Sequence, residues 1–387
     1  MKKLALALLA ASCLLLSGCS GGIYSNYRAT EHLLLVQALG ADSSDDGGVC
    51  LSVSCRKLPS DNSGAIISRS GESFTRALSS LQDFSADRQL YYSHGEYVLM
   101  GEDYARNSTE NLFDFVARDN QLRLGIYLFV VKGGSARELI CGVGEDSYEV
   151  SKTLSSILRD TQTQGGSHVF TVRETLRCLS DHGAALVCAL RPYTTEESVF
   201  LLEPGLNPVA EGYGILKGGA LVGFVPGEIS QAANLLMGNM GSAGVSLSDG
   251  KGGHLSLEYE SGSTEIIPRW GEDGSLESIH VEAKLTANLA EPNTDTLHIT
   301  DEEFLSQMES ALSRDMEEKI SALLSLSSKL DADFLGLKAH LRQSDAEKAA
   351  QLGDDWLKKA IFSLECESKI SYTRELGDRM SAEGGEK

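Results

Sequence analysis

The sequence predicts an α+β fold of mixed, largely antiparallel sheets with packed helices, and three observations lead there. Period-two apolar alternation and helical three-to-four spacing interleave through the first half of the chain, so strands and helices follow one another. From about residue 213 a Gly-punctuated stretch carries strands with one wet face, followed by a single long amphipathic helix. At 387 residues, with roughly 150 per domain as the guide, the chain has room for two or three domains.

The elements follow in order. Residues 33–39 are an apolar run ending at Gly40-Ala41-Asp42, and an acidic turn leads into the alternating segment 49–58, the pattern of a hairpin. Phe74, Leu78 and Leu81 stand at helical spacing within residues 72–82. Residues 91–100 read as one strand, 103–118 as one helix through Leu112, Phe113, Phe115 and Val116, and 124–132 as another strand. Val150, Leu154, Ile157 and Leu158 mark a third helix, and Val172, Leu176 and Leu179 a fourth, which Gly183 can end in the left-handed conformation. Residues 185–190 are apolar enough for a buried strand.

Further on, residues 215–224 read as two short strands around Gly218-Gly219, and Pro226-Gly227-Glu228 starts a helix to about Met237. Strands are expected over 245–247, 254–259, 264–269 and 279–287. In the last, Ile279, Val281, Ala283, Leu285 and Ala287 alternate with His280, Glu282, Lys284 and Thr286. Phe304, Met308, Leu312, Met316, Ile320 and Leu323 form one stripe over 301–330, a long helix whose acidic first turn suits its dipole. A short helix near 347–362 and an alternating strand over 366–376 close the fold, and residues 381–387 form a loose tail.

The N-terminus carries the most specific signal. Lys2 and Lys3 precede an apolar stretch, Leu4 to Leu16, too short to span a bilayer, and small residues follow before Cys19. The tetrad Leu16-Ser17-Gly18-Cys19 resembles the bacterial lipobox, in which the Cys thiol receives a diacylglyceryl group, an N-acyl chain can follow, and cleavage leaves that Cys first. Two acyl chains at about 0.8 kcal/mol per buried CH₂ hold a protein stably, where one holds it only marginally. No later segment is apolar enough to span. Loss of residues 1–18 removes two lysines and no acid, taking the formal charge from −21 to −23. That field opposes phosphates, so nucleic acid is excluded as a partner.

Export leaves six cysteines, Cys50, Cys55, Cys141, Cys178, Cys188 and Cys366, read as buried free thiols with disulfides as the alternative. Cys50 and Cys55 lie an odd number of positions apart on one alternating strand, so they face opposite ways and cannot bond to each other. C-x-x-C, H-E-x-x-H and the phosphate-binding loop are absent, and the one G-x-S-x-G match falls on the lipidation site without a strand-turn-helix context. The eight histidines are scattered singly, His94 beside Gly95 included, and are read as structural. The expectation is a non-enzymatic protein with no metal and no cofactor beyond the lipid on Cys19.

Several stretches together resemble one family, the Ger(x)C lipoproteins, which are C subunits of bacterial spore germinant receptors. Residues 27–42, running into Leu39-Gly40-Ala41-Asp42, are similar to the family's opening "alGiD" segment, and Tyr91-Tyr92-Ser93-His94 through Gly101-Glu102 to its "yfsH…viiGe" strand. Phe115-Val116-Ala117-Arg118-Asp119 and Val131-Lys132-Gly133-Gly134-Ser135-Ala136-Arg137 resemble "flvRd" and "v.kG.Ar". Leu221-Val222-Gly223-Phe224 and Asp333-Phe334-Leu335-Gly336-Leu337 resemble "LvGwl" and "DifGf", and Trp356 precedes the closing strand. Each piece is short, and their order along nearly the whole mature chain makes the match specific. Ser20-Gly21 stands where family members commonly carry Trp-Asp.

The resemblance implies an elongated α+β protein of about three domains on the outer surface of the spore inner membrane. Its partners would be a multi-pass A subunit, a permease-like B subunit, and the lipid bilayer through the acyl anchor. The expected division is a signal peptide over 1–18, an N-terminal region over 19–190, a linker over 191–212, a C-terminal domain over 213–380 and the tail. A solute-capturing lipoprotein or a surface hydrolase is the competing class.

Overall fold

The computed structural model describes residues 32–56, 66–85, 88–141, 150–164, 166–192, 208–248, 254–290 and 302–371. Two sheets organise them. The first contains β1 (Leu33–Ser43), β2 (Val49–Cys55), β3 (Ile66–Gly71), β4 (Gln89–Tyr91), β5 (Tyr97–Gly101), β6 (Tyr127–Val131), β7 (Ala184–Pro192), β8 (Pro208–Lys217) and β9 (Ala220–Val225). Its order is β3-β2-β1-β5-β6-β7-β8-β9, with β4 beside the start of β1. Antiparallel strands flank a parallel centre of β1, β5, β6 and β7.

A parallel centre needs cover on both faces, and this one has it. Side chains alternate between two cores: Val98, Met100, Leu128 and Val130 join one, while Tyr97, Leu99, Phe129 and Val131 join the other. The first core lies under the helices Phe74–Phe84, Glu110–Arg118 and Val172–His182, and the second under Ala136–Cys141 and Val150–Gln164. The helix Val172–His182 opens with a capping box between Thr171 and Glu174 and ends on Gly183 at φ 75°, as its sequence predicts.

The second sheet runs β10 (Gly244–Ser248), β11 (His254–Trp270), β12 (Leu276–Leu289) and β13 (Phe362–Ser371) in that order. β12 pairs with β13 in parallel, and the other pairings are antiparallel. The helix Glu302–Leu330 covers one face with Met308, Leu312, Met316, Ile320 and Leu323 buried, and the other face stays wet. Glu317 and Glu309 on that helix accept the backbone N–H groups of Cys366 and Ile370, both at 3.0 Å. The free edge of β13 is thereby capped by side chains.

Several elements differ from their sequence reading. The strand expected over 91–100 breaks at a 3₁₀ turn, Tyr92–His94, because β4 pairs with Leu33–Leu35 while β5 pairs only from Ala38 onward, and the turn takes up the slack. The helix expected over 103–118 is two helices, Glu102–Asn107 and Glu110–Arg118, because Thr109 donates from its N and Oγ1 to the Gly219 carbonyl at 2.8 and 2.9 Å. The two strands expected over 254–269 are one, bulged between Tyr259 and Ser261; at Gly262 a Cβ would lie 2.6 Å from Leu235 and Met240 of the neighbouring segment. The short helix expected over 347–362 is two helices, Ala346–Ala350 and Trp356–Lys359.

The units meet across one apolar core. Ala184, Leu186, Tyr213, Ile215 and Val225 of the first sheet pack with the long helix and the inner face of the second. The boundary expected at 213 falls inside β8, which is zipped to β7, so residues 208–225 complete the first sheet. Tyr213 is fully buried; it donates to Asn234 Oδ1 and accepts the His168 N–H, tying β8 to both units.

Candidate functional site

The lipidation residues Leu16, Ser17, Gly18 and Cys19 lie outside the described residues, as does most of the stretch 191–212. The other motifs named from the sequence converge on two places.

The first is the edge where β1, β5 and β6 end, the crevice in which open parallel sheets place their ligands. Here it is filled from within. Asp42, at the end of β1 and 5% exposed, accepts the N–H of Ala136 at 2.7 Å and of Arg137 at 2.8 Å, capping the helix Ala136–Cys141 from 94 positions away. Gly101 makes room, since a Cβ there would stand 2.1 Å from Asp42 Oδ1. Gly40 does the same for the helix, because a Cβ would meet Ile140 at 2.6 Å. Glu102 accepts the Gly133 N–H at 2.7 Å and holds Arg106 at 2.6 Å, which fixes the turn at Gly133, φ 70°. Burial pushes the Asp42 carboxyl up to about 6, against the pull of the two amides.

The second is the joint between the two units. Asp333 is buried and accepts the N–H of Leu337 at 2.7 Å and of Lys338 at 2.8 Å, capping the helix Leu337–Ser344. Gly336 adopts φ 73° with the His182 ring against it, where a Cβ would lie 3.1 Å from Nε2. Burial raises the Asp333 carboxyl and lowers His340.

Between the helices Glu110–Arg118 and Val172–His182 runs a groove of about 670 Å³ lined by Glu110, Asp114, Arg118, Leu176 and Leu179. Among the described residues that line it there is no Ser, Cys or His. All six described cysteines are free thiols. Burial pushes Cys55 and Cys188 up to about 12 and Cys366 to about 11, which keeps these thiols protonated. His94 closes the 3₁₀ turn with its ring 6.2 Å from Tyr91. Sequence reasoning missed the role of Asp42 and Asp333. Only the second carries a local signal, an Asp four residues ahead of the helix it caps.

Fold and site together define a class: a two-sheet α+β scaffold whose motif residues bind its own backbone. Two family models match in sequence order, the spore germination protein N-terminal domain over residues 26–192 and the spore germination B3/GerAC-like C-terminal domain over 211–374. The chain is 21% identical over 402 residues to the spore germination protein KC of Bacillus subtilis (strain 168), covering 98% of this chain and 97% of that protein. Its fold matches the crystal structure of the GerBC protein with a TM-score of 0.57 at 18% identity, over 86% of this chain and 96% of that one. The chain belongs to the GerAC, or Ger(x)C, family of spore germination proteins, and its role is that of a germinant receptor C subunit.

Proposed function

We propose that this chain is a non-enzymatic, lipid-anchored subunit that supports or couples the A and B subunits of its receptor, held through Cys19 on the outer surface of the spore inner membrane. The observation that carries the reading is the closed junction at Asp42. The crevice where a parallel sheet would take a ligand holds a carboxylate already committed to two backbone amides, and the residues that mark the family build that closure. Among the described residues no helix is long and apolar enough to cross a membrane, so the proposed attachment rests on the acyl chains of Cys19.

Recovery of the A and B subunits with this chain from detergent-solubilised spore membranes tests the reading. Co-recovery, with loss of the nutrient response on deletion, is the expected result. Failure to recover either subunit together with an intact response in the deletion strain would contradict it. Cys19→Ala is expected to abolish acyl labelling and release the chain from the membrane fraction.

A further inference from the structure

We propose that the wet face of the second sheet carries a binding site for a borderline divalent cation of the Zn²⁺ type, held by His280 and Glu282 on β12 and Glu365 on β13. The sequence reading left His280 as a solitary histidine with a structural role. The sheet register removes that isolation. β12 and β13 run parallel with Glu282 opposite Glu365 and His280 opposite Ser363, so all four side chains stand on one face.

The geometry of the three ligand atoms points to a shared ion. His280 Nε2 lies 3.5 Å from Glu282 Oε1 and 3.9 Å from Glu365 Oε2. Both separations are too long for a hydrogen bond. They are close to the roughly 3.0–3.5 Å that separates neighbouring ligands around an ion bound at about 2.1 Å. All three ligand atoms lie within 4.8 Å of one another. The ring is already aimed: His280 Nδ1 is 2.8 Å from Ser363 Oγ, and a proton donated there leaves Nε2 bare as a ligand. The ring is 13% exposed, which limits its freedom to turn away.

Charge makes the same demand independently of this geometry. β11 places Glu265 opposite Glu282, so Glu265, Glu282 and Glu365 form one row of three glutamates across three strands. Like charges directly opposite in a sheet are unfavourable, and this chain already carries −21. Among the described residues no lysine or arginine forms an ion pair with Glu282 or Glu365, and the nitrogen base within 4 Å of both is the His280 ring. A divalent cation answers the row directly. The imidazole nitrogen selects Zn²⁺, Co²⁺ or Ni²⁺ over Ca²⁺ and Mg²⁺, which favour all-oxygen sites.

The test uses the full lipidated chain in detergent, stripped with EDTA and titrated with ZnCl₂ by calorimetry and thermal melting, with Co²⁺ as an optical probe. One Zn²⁺ per chain is expected, raising Tm, and bound at least tenfold more weakly after His280→Gln or Glu365→Gln. Ser363→Ala, which keeps all three ligands and only frees the ring, should weaken binding by a smaller factor. Without metal, Glu365→Gln should melt at or above wild type, because the glutamate row is relieved. That opposite sign separates lost ligation from misfolding. Co²⁺ should show weak d–d bands without thiolate charge transfer. Zn²⁺ binding unchanged in His280→Gln, binding no tighter than that of Ca²⁺, or a strong thiolate band would each overturn the site.

Discussion

The two buried aspartates, Asp42 in the first unit and Asp333 at the joint, perform the same operation over very different spans. Each accepts two successive backbone N–H groups with its two carboxylate oxygens, at 2.7 and 2.8 Å in both cases. Asp333 closes a loop of four and five residues, so its bond belongs to one helix start. Asp42 joins the end of β1 to a helix that follows β6, so its bond locks the order of the parallel strands. The same chemistry is a local cap in one place and a long-range weld in the other. The comparison teaches that two of the family-like motifs, at Asp42 and Asp333, place an aspartate where the first N–H groups of a helix need a partner.

The largest effect should come from attacking the weld. Gly101→Ala puts a methyl into the Asp42 carboxylate, 2.1 Å from Oδ1, and is expected to cost about 3 kcal/mol, read from denaturant unfolding as a lower midpoint. Asp42→Ala should cost a similar amount, and the double variant should fall well short of the sum because both changes break one contact. A local cap is worth less: Asp333→Ala is expected to cost about 1–2 kcal/mol. Equal losses at Asp42 and Asp333 would break the distinction drawn between them.

Acid sharpens the comparison. The Asp42 carboxyl sits at about 6 in the fold and at 3.8 in the free chain. Above pH 6 it is ionised in both states. As pH falls from about 6 toward 4, only the folded state takes up the proton, so this group adds stability and then levels off below the unfolded value. The contribution is on the order of 2–3 kcal/mol and should disappear in Asp42→Asn when unfolding is followed between pH 7 and 4. A wild-type slope unchanged by that substitution would show that the carboxyl titrates normally.

The smallest change concerns the sheet edge. Replacing Glu309 and Glu317 with Ala uncovers the N–H groups of Ile370 and Cys366, and should cost about 1 kcal/mol while increasing self-association in light scattering. A double variant that stays as monodisperse as wild type would show that the edge needs no cover.

Elements that declare themselves by local periodicity were legible. The hairpin of β1 and β2, the buried strand β7, the long helix with its Met308 to Leu323 stripe and the Gly183 stop all follow from spacing within one segment. What spacing cannot carry is the partner. β1 lies beside β5, and β5 beside β6, through crossovers that leave no local trace, and the break at Ser108-Thr109 exists because Gly219 waits more than a hundred residues on. Asp42, Gly101 and Asp333 lie within the stretches that resemble the family, but nothing in those stretches says that all three serve backbone closure. His280 looked solitary for the same reason, since Glu365 reaches it only through the register of β13.

Amide hydrogen exchange at Ala136 and Arg137, measured on the full chain in detergent, tests the weld most directly. These two amides begin a six-residue helix, where exchange is ordinarily fast unless a partner holds them. They should be protected in wild type as strongly as the amides of β5 and β6. Asp42→Ala should release them while leaving β11 and β12 protected. Rapid exchange at both amides in wild type, or slow exchange that survives Asp42→Ala, would contradict the account.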